Sequence, residues 1–349
     1  MTDTAQRAPR TYKDFGQPLW RRILLTREMA IVGLLVIVYL VAALSVRNFA
    51  APITITYLLL DVAAILMIAL PMTLIIITGE IDLSVASIVG LSSVVLGTLH
   101  QAGLPIEAAG LVAIVVGAIA GAVNGFFITV VGLPSLAVTI GTLALFRGLA
   151  VGLLGTTAVT DFTEFWTDLA KSKIPGTPIP SVMILFVVLA IAFAIVLHFT
   201  AFGRGIFAIG LSSEAARFSG VNVERTKFIL FVLSGAVSAL AGIYYTLRFG
   251  SARGDNATGL ELSVIAAVLL GGVSIFGGRG AIHGVIAGVL LIGILSSALR
   301  LANVTSDVIN IITGALLVAS VVSTSILAWA RRRRVGPGVK KGPPAPGQD

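Results

Sequence analysis

The chain is 349 residues long, 57% hydrophobic and only 11% charged, with a net charge of +8 and a mean hydropathy of +1.03. Soluble domains keep apolar and polar residues near balance with about a quarter charged, so this composition excludes an ordinary soluble protein and assigns the chain to a bilayer. The lack of cysteine excludes a disulfide framework, a thiolate nucleophile and a cysteine metal site; His100, His198 and His283 are too scattered for zinc ligation, and neither metal nor cofactor is expected.

Residues 1–28 form an N-terminal tail. No short apolar region with a small-residue cleavage site precedes the first span, so the tail is expected to be retained and cytoplasmic. Trp20, Arg21, Arg22, Leu24 and Leu25 suit either a short helix in the headgroup layer or a charged flank that orients the first span.

A helix that crosses the hydrocarbon core needs about 20 mostly apolar residues. Breaking at Pro, Gly and charge clusters predicts roughly ten spans within a transmembrane domain of residues 29–330. In order they are Met29 to Val46, Ile53 to Thr78, Ile81 to Thr98, Ile106 to Val131, Ser135 to Gly155, Ser181 to Thr200, Phe228 to Leu247, Glu261 to Phe276, Ala281 to Leu301 and Val308 to Ala330. Pro71 is expected to kink or divide the second. Residues 331–349 form a basic tail rich in Pro, Gly and Lys, expected to be disordered. The fold class is therefore an all-α membrane protein.

Basic residues near span ends collect on the cytoplasmic side. With both termini inside, the cytoplasmic segments hold most of the 24 basic residues, among them Arg204, Arg217, Arg225, Lys227, Arg279 and Arg331 to Arg334. Arg47, Lys171, Lys173, Arg248 and Arg253 are left to the outside loops. The positive charge thus reads as membrane orientation, and no soluble basic domain points to nucleic acid.

An internal repeat accompanies this topology. Ile81-Asp82-Leu83-Ser84-Val85 resembles Leu260-Glu261-Leu262-Ser263-Val264, and Gly117 to Gly121 resembles Gly284 to Gly288. One copy starts from the cytoplasmic side and the other from outside, so the halves are inverted, and short polar-start spans at matching positions point to a transport pathway. Asp61, Asp82, Asn124 and Glu261 are the candidates to line it. For Asp82 and Glu261 a capping role at a helix start stands ahead of solute contact, since nearly every helix start needs such a partner. Asp61 lies inside an apolar run where a lone charge is costly, so a partner or a cavity is expected beside it; an arginine such as Arg147 or Arg300 is conceivable as that partner, although no spacing singles it out. For Asn124 an interhelical hydrogen bond stands ahead of a pore-facing role. Gly117, Gly121 and Gly125 recur at a spacing that lets helices approach closely.

No lysine sits in a phosphate-binding loop, and no serine, histidine and acid share a nucleophile-elbow context. The chain is not expected to be an enzyme or to hydrolyse ATP. The Gly277-Gly278-Arg279-Gly280 run follows a span and reads as a cytoplasmic turn.

The longest cytoplasmic interruption is Ala201 to Lys227. Ser212 or Ser213 can cap a short helix through Ala215, Ala216 and Arg217, and Gly220 offers the left-handed conformation that closes it. Glu214-Ala215-Ala216, three residues and then Gly220 resembles the EAA loop of ATP-binding cassette importer permeases. With Thr78 to Ser93 and Leu270 to Gly288, the chain from about Ile53 to Ala330 is similar to the ribose-type permeases that import monosaccharides. It departs from the longer EAA pattern at Ile229-Leu230-Phe231, which lacks the following proline.

The resemblance implies a permease paired with a second copy or a related chain, a cytoplasmic ATPase dimer, and an extracytoplasmic sugar-binding protein. It implies that Glu214, Ala215, Ala216 and Gly220 couple to the ATPase. Lys171, Lys173, Arg248 and Arg253 then become candidate contacts for the binding protein, against the plainer reading of solvated loop charges. Rhamnose, autoinducer-2 and nucleosides are carried by relatives within the same family. An ion-coupled secondary transporter and a structural membrane protein are the rival classes; an EAA-type knob has no use in the first, and short polar-start spans are unexplained in the second.

Overall fold

The computed structural model describes residues 27–334, and among them every regular element is a helix. The expected interfacial segment at Trp20 to Leu25 and residues 335–349 of the tail lie outside the described residues. The helices are α1 (Arg27–Ser45), α2 (Pro52–Ile77), α3 (Val85–Gln101), α4 (Ile106–Thr129), α5 (Ser135–Leu154), α6 (Glu164–Lys171), α7 (Val182–Phe199), α8 (Ala201–Leu211), α9 (Ser213–Phe218), α10 (Val223–Phe249), α11 (Leu260–Leu270), α12 (Ile282–Leu301) and α13 (Ser306–Arg334). Six of them, α2, α4, α5, α7, α10 and α12, are long and apolar enough to cross a membrane. The described start of the basic tail, Arg331 to Arg334, continues α13 as helix instead of leaving it.

The centre is α2, buried along most of its length. It runs unbroken through Pro71, so the expected division does not occur. Proline costs one backbone bond, here to the Met67 carbonyl, and tight packing around a fully buried Met67 and Leu70 holds the helix together across the gap. Its neighbours form two similar groups. In one, α3 packs on α4 and α5 with α10 across α3 and α4; in the other, α11 packs on α12 and α13 with α2 across α11 and α12.

The two groups start from opposite ends of the bundle. Lys227 in the first turn of α10 pairs with Glu80, just before α3, whereas Arg248 in its last turn pairs with Asp61 of α2. The chain therefore enters α3 from the Lys227 end and α11 from the Arg248 end.

Helix α4 shows why the glycines recur. Its large residues Leu111, Val115, Ile119 and Phe126 are exposed, as lipid-facing side chains are. Its small residues face α10: a β-carbon on Gly117 would lie 2.6 Å from the Gly235 carbonyl oxygen, and one on Gly121 would lie 2.9 Å from the Phe231 carbonyl carbon. Only glycine permits backbones this close.

Three predicted boundaries move. The third span is helical only from Val85, because residues 79–84 cross the interior without helix. The eighth stops at Leu270, not Phe276: Gly271 and Gly272 turn the chain, and the Ser274 N–H donates to the Arg279 carbonyl at 3.0 Å, closing a second turn. An α-helix rises about 1.5 Å per residue, so α11, with 11 residues, cannot span alone. The interruption at Ala201 to Lys227 is not a loop but three pieces, namely α8, α9 and the first turn of α10.

Candidate functional site

At the Lys227 end, α8 leaves α7 through Thr200, whose side chain accepts from the Gly203 N–H at 3.1 Å. One face of α8 is buried at Gly203, Gly205, Ile206 and Ile209. Then α9 begins with the cap expected from sequence: Ser212 accepts from the Ala215 N–H at 3.2 Å. Gly220 ends it with φ +83°, a conformation that suits glycine. Asn222 starts α10 by accepting from the Arg225 N–H at 2.9 Å.

The EAA residues divide by exposure. Ala216 is buried against Ile209 and Val223, which seats α9 on its neighbours. Glu214, Ala215 and Phe218 are exposed, Phe218 to 86%. Arg217 pairs with Glu224 across the turn. Leu211 and Phe276 are also exposed at this end, so the knob stands beside further apolar surface.

Above it lies a buried polar cluster. Asp82, Ser84, Asn124, Ser234 and Ser238 are fully buried. One oxygen of Asp82 accepts from the Ser84 N–H at 3.0 Å and the Ser84 hydroxyl at 2.6 Å; the other accepts from the Ser234 hydroxyl at 2.9 Å. Asn124 donates to the Ser84 hydroxyl at 2.7 Å. The cluster thus ties the segment before α3 to α4 and α10. Asp82 does satisfy an N–H near a helix start, but the cap position itself is Ser84. Asn124 makes a hydrogen bond between elements, as expected, but to the cap residue Ser84 and not to a second helix.

At the opposite end Asp61 has two arginine partners, Arg248 and, at 3.4 Å, Arg300. Arg300 matches the expectation and Arg147 does not. Arg147 instead donates to the carbonyls of Gly254, Asn256 and Ala86 at 2.7, 2.8 and 3.0 Å, fastening the 250–259 segment against α3. Sequence reasoning missed this fastening; the signal was an arginine inside an apolar span. Asn256 joins it by donating to Ser93 at 2.9 Å.

Arg248 was expected as a loop charge open to a partner. It lies instead in the last turn of α10, its side chain only 10% exposed, turned onto Asp61 and the Leu60 carbonyl at 2.8 Å. Arg253 is exposed and pairs with Asp255 through two 2.9 Å contacts, a bond that holds the Asp255 carboxyl below its ordinary range. Lys171 ends the amphipathic α6 and Lys173 lies two residues on, both exposed. Glu261 is in the first turn of α11 behind Gly259, half-buried. Its helix lines a hollow of about 570 Å³ that reaches from Thr258 and Ser263 to Arg300 and Asn310, and a second of about 440 Å³ lies beside Asp61 and shares Arg300. Among the described residues no group of His, Cys, Asp and Glu could hold a metal ion.

Comparison with known proteins matches residues 54–321 to the family described as the branched-chain amino acid transport system permease component. The chain is 39% identical over 272 residues to the autoinducer 2 import system permease protein LsrD of Photorhabdus luminescens, covering 76% of this chain and 81% of the relative. It is 37% identical over 287 residues to the protein of that name from Yersinia enterocolitica and 36% to the one from Salmonella typhimurium, each covering 78% of this chain and 86% of the relative. No solved structure matches. A match running from the start of α2 into α13 spans both helix groups and the knob between them, and on that ground the chain belongs to the branched-chain amino acid transport system permease family.

Proposed function

We propose that this chain is the membrane permease subunit of an ATP-binding cassette importer for a monosaccharide of the ribose or rhamnose kind. The observation that carries the reading is α9: a capped, glycine-closed helix that buries Ala216 and presents Glu214, Ala215 and Phe218 outward. An exposed apolar knob beside Leu211 and Phe276 is a surface that a soluble partner covers. Two cytoplasmic ATPase subunits supply that partner and the hydrolysis. Family membership favours a component of a larger system over a stand-alone ion-coupled carrier.

In the bacterial inner membrane, residues 29–330 form the permease domain, with α1, α3, α11 and α13 completing ten membrane helices and both termini inside. Non-helical backbone is tolerated at membrane depth where protein encloses it, as at Asp82 and Ser84. Two permeases, identical or related, stand around one pathway. Solute arrives from an extracytoplasmic binding protein docked near Lys171, Lys173 and Arg253, with Arg248 acting from beneath through Asp61. Asp61 borders one outer hollow and Glu261 lies in the helix that lines the other, while Asp82 and Asn124 brace the helices that move.

A second reading has the same chemistry of a small, hydroxyl-rich furanose. The relatives above are autoinducer 2 import permeases, and on that likeness autoinducer-2 stands as the alternative cargo. Uptake of labelled ribose, rhamnose and autoinducer-2 into vesicles holding the permease, ATPase and binding protein separates the two. Import is expected only with ATP and the binding protein together, and Glu214→Ala or Gly220→Val lowers it at least tenfold while the protein still inserts, the scale of a coupling energy of about 1.4 kcal/mol. Uptake that ignores ATP, or both variants importing at the normal rate, contradicts the assignment.

A further inference from the structure

Besides the side chains that seat α9 and α8 on their neighbours, the arm makes one close backbone contact with the membrane helices, at Gly210. Gly210, in the last turn of α8, lies against the carbonyl of Ile77, the last residue of α2, and against Gly278 in the turn that follows α11. A β-carbon on Gly210 would fall 2.9 Å from the Gly278 α-carbon and closer still to the Ile77 oxygen. One on Gly277 would fall 2.9 Å from the Gly210 oxygen and 3.0 Å from the Ile77 oxygen. The Gly278 N–H donates to that same Ile77 oxygen at 2.8 Å. Gly277 and Gly278 hold φ of +81° and +73°, which any other residue adopts only with strain.

Directly between these three backbones no side chain intervenes to absorb a displacement. Beyond Ile77 the chain runs through Asp82 into α3; on either side of Gly278 it runs into α11 and α12. One arm therefore touches, at a single point, the end of α2 that leads on to α3 and the turn between α11 and α12.

We propose that Gly210, Ile77 and Gly278 form a rigid joint through which displacement of α9 moves the α3 group and the α11 group together. This rests on the ATPase reading above. Gly210 is a positioning residue here, acting through its neighbours. The test is a ratio: solute imported per ATP hydrolysed, in the assembled transporter.

Gly210→Ala leaves the exposed face of α9 unchanged, so the ATPase should copurify and hydrolyse ATP within about twofold of normal, while import per ATP falls about tenfold or more. Gly205→Ala, on the same helix, would meet only the Val221 side chain at 3.3 Å and should keep the normal ratio. A normal ratio in Gly210→Ala overturns the joint. Failure of the unaltered chain to bind any ATPase overturns the coupling reading instead. Because a backbone clash can also block insertion, amide exchange in the unaltered complex gives a second measurement. The peptide containing Gly278 should stay protected both without nucleotide and with ATP trapped; loss of protection in either state means the joint opens, and the proposal fails.

Discussion

Asp61 is the tenth residue of a largely apolar helix and stands partly exposed beside the smaller hollow, where a carboxylate next to lipid and protein gains from a counter-ion. Two arginines supply the counter-charge, and they are unequal. Arg300 is mostly exposed, as rim charges are, whereas Arg248 is enclosed and depends on Asp61. Asp61→Asn should therefore lower stability by about 1–3 kcal/mol, because a buried guanidinium is left without its carboxylate. Adding Arg248→Gln should restore part of that loss. Thermal unfolding of the purified single and double variants measures the cycle; strictly additive losses would mean the two groups are not coupled.

The cost of Asp61 was legible in the sequence, but its main partner was not. Arg248 is 187 positions away, and ending the seventh span at Leu247 left it in a loop. Arg147 shows the opposite limit. An arginine in a span suggests a carboxylate partner, yet backbone carbonyls of a folded-in segment satisfy this one, and no residue type marks a carbonyl in advance.

At the scale of elements, α4 separates lipid from protein by size: large residues outward, glycine and alanine inward. Gly121→Leu should push α4 off α10 and cost more than about 3 kcal/mol, beyond ordinary overpacking because backbone is struck. Ile119→Leu on the lipid face should stay within about 0.5 kcal/mol. The yield of monodisperse protein in detergent distinguishes them, and equal yields would contradict the packing described. The caps of α9 could be read from Ser212 and Gly220 because capping is local chemistry. Helix α8 could not: Gly203, Gly205, Gly210 and Arg204 make its sequence look like a loop, although the glycines are there for close approach. The end of α11 was missed for the converse reason. Val273, Ile275 and Phe276 prolong the apolar composition past a turn that only Gly271 and Gly272 announce.

Over the whole molecule, the paired groups of helices and their opposite starting ends were readable because Asp82 and Glu261 head similar strings. The way the halves interlock, with α2 across α11 and α12, α10 across α3 and α4, and α2 against α10, depends on contacts between distant residues that no string displays. In the proposed transporter α9 projects into the cytoplasm and is covered there by an ATPase. The chain has no cysteine, so Glu214→Cys introduces a single reporter. A membrane-impermeant maleimide should label it in inside-out vesicles and not in intact cells, and copurifying ATPase should shield it. Labelling from the outside, or labelling inside that the ATPase leaves unchanged, would contradict the account.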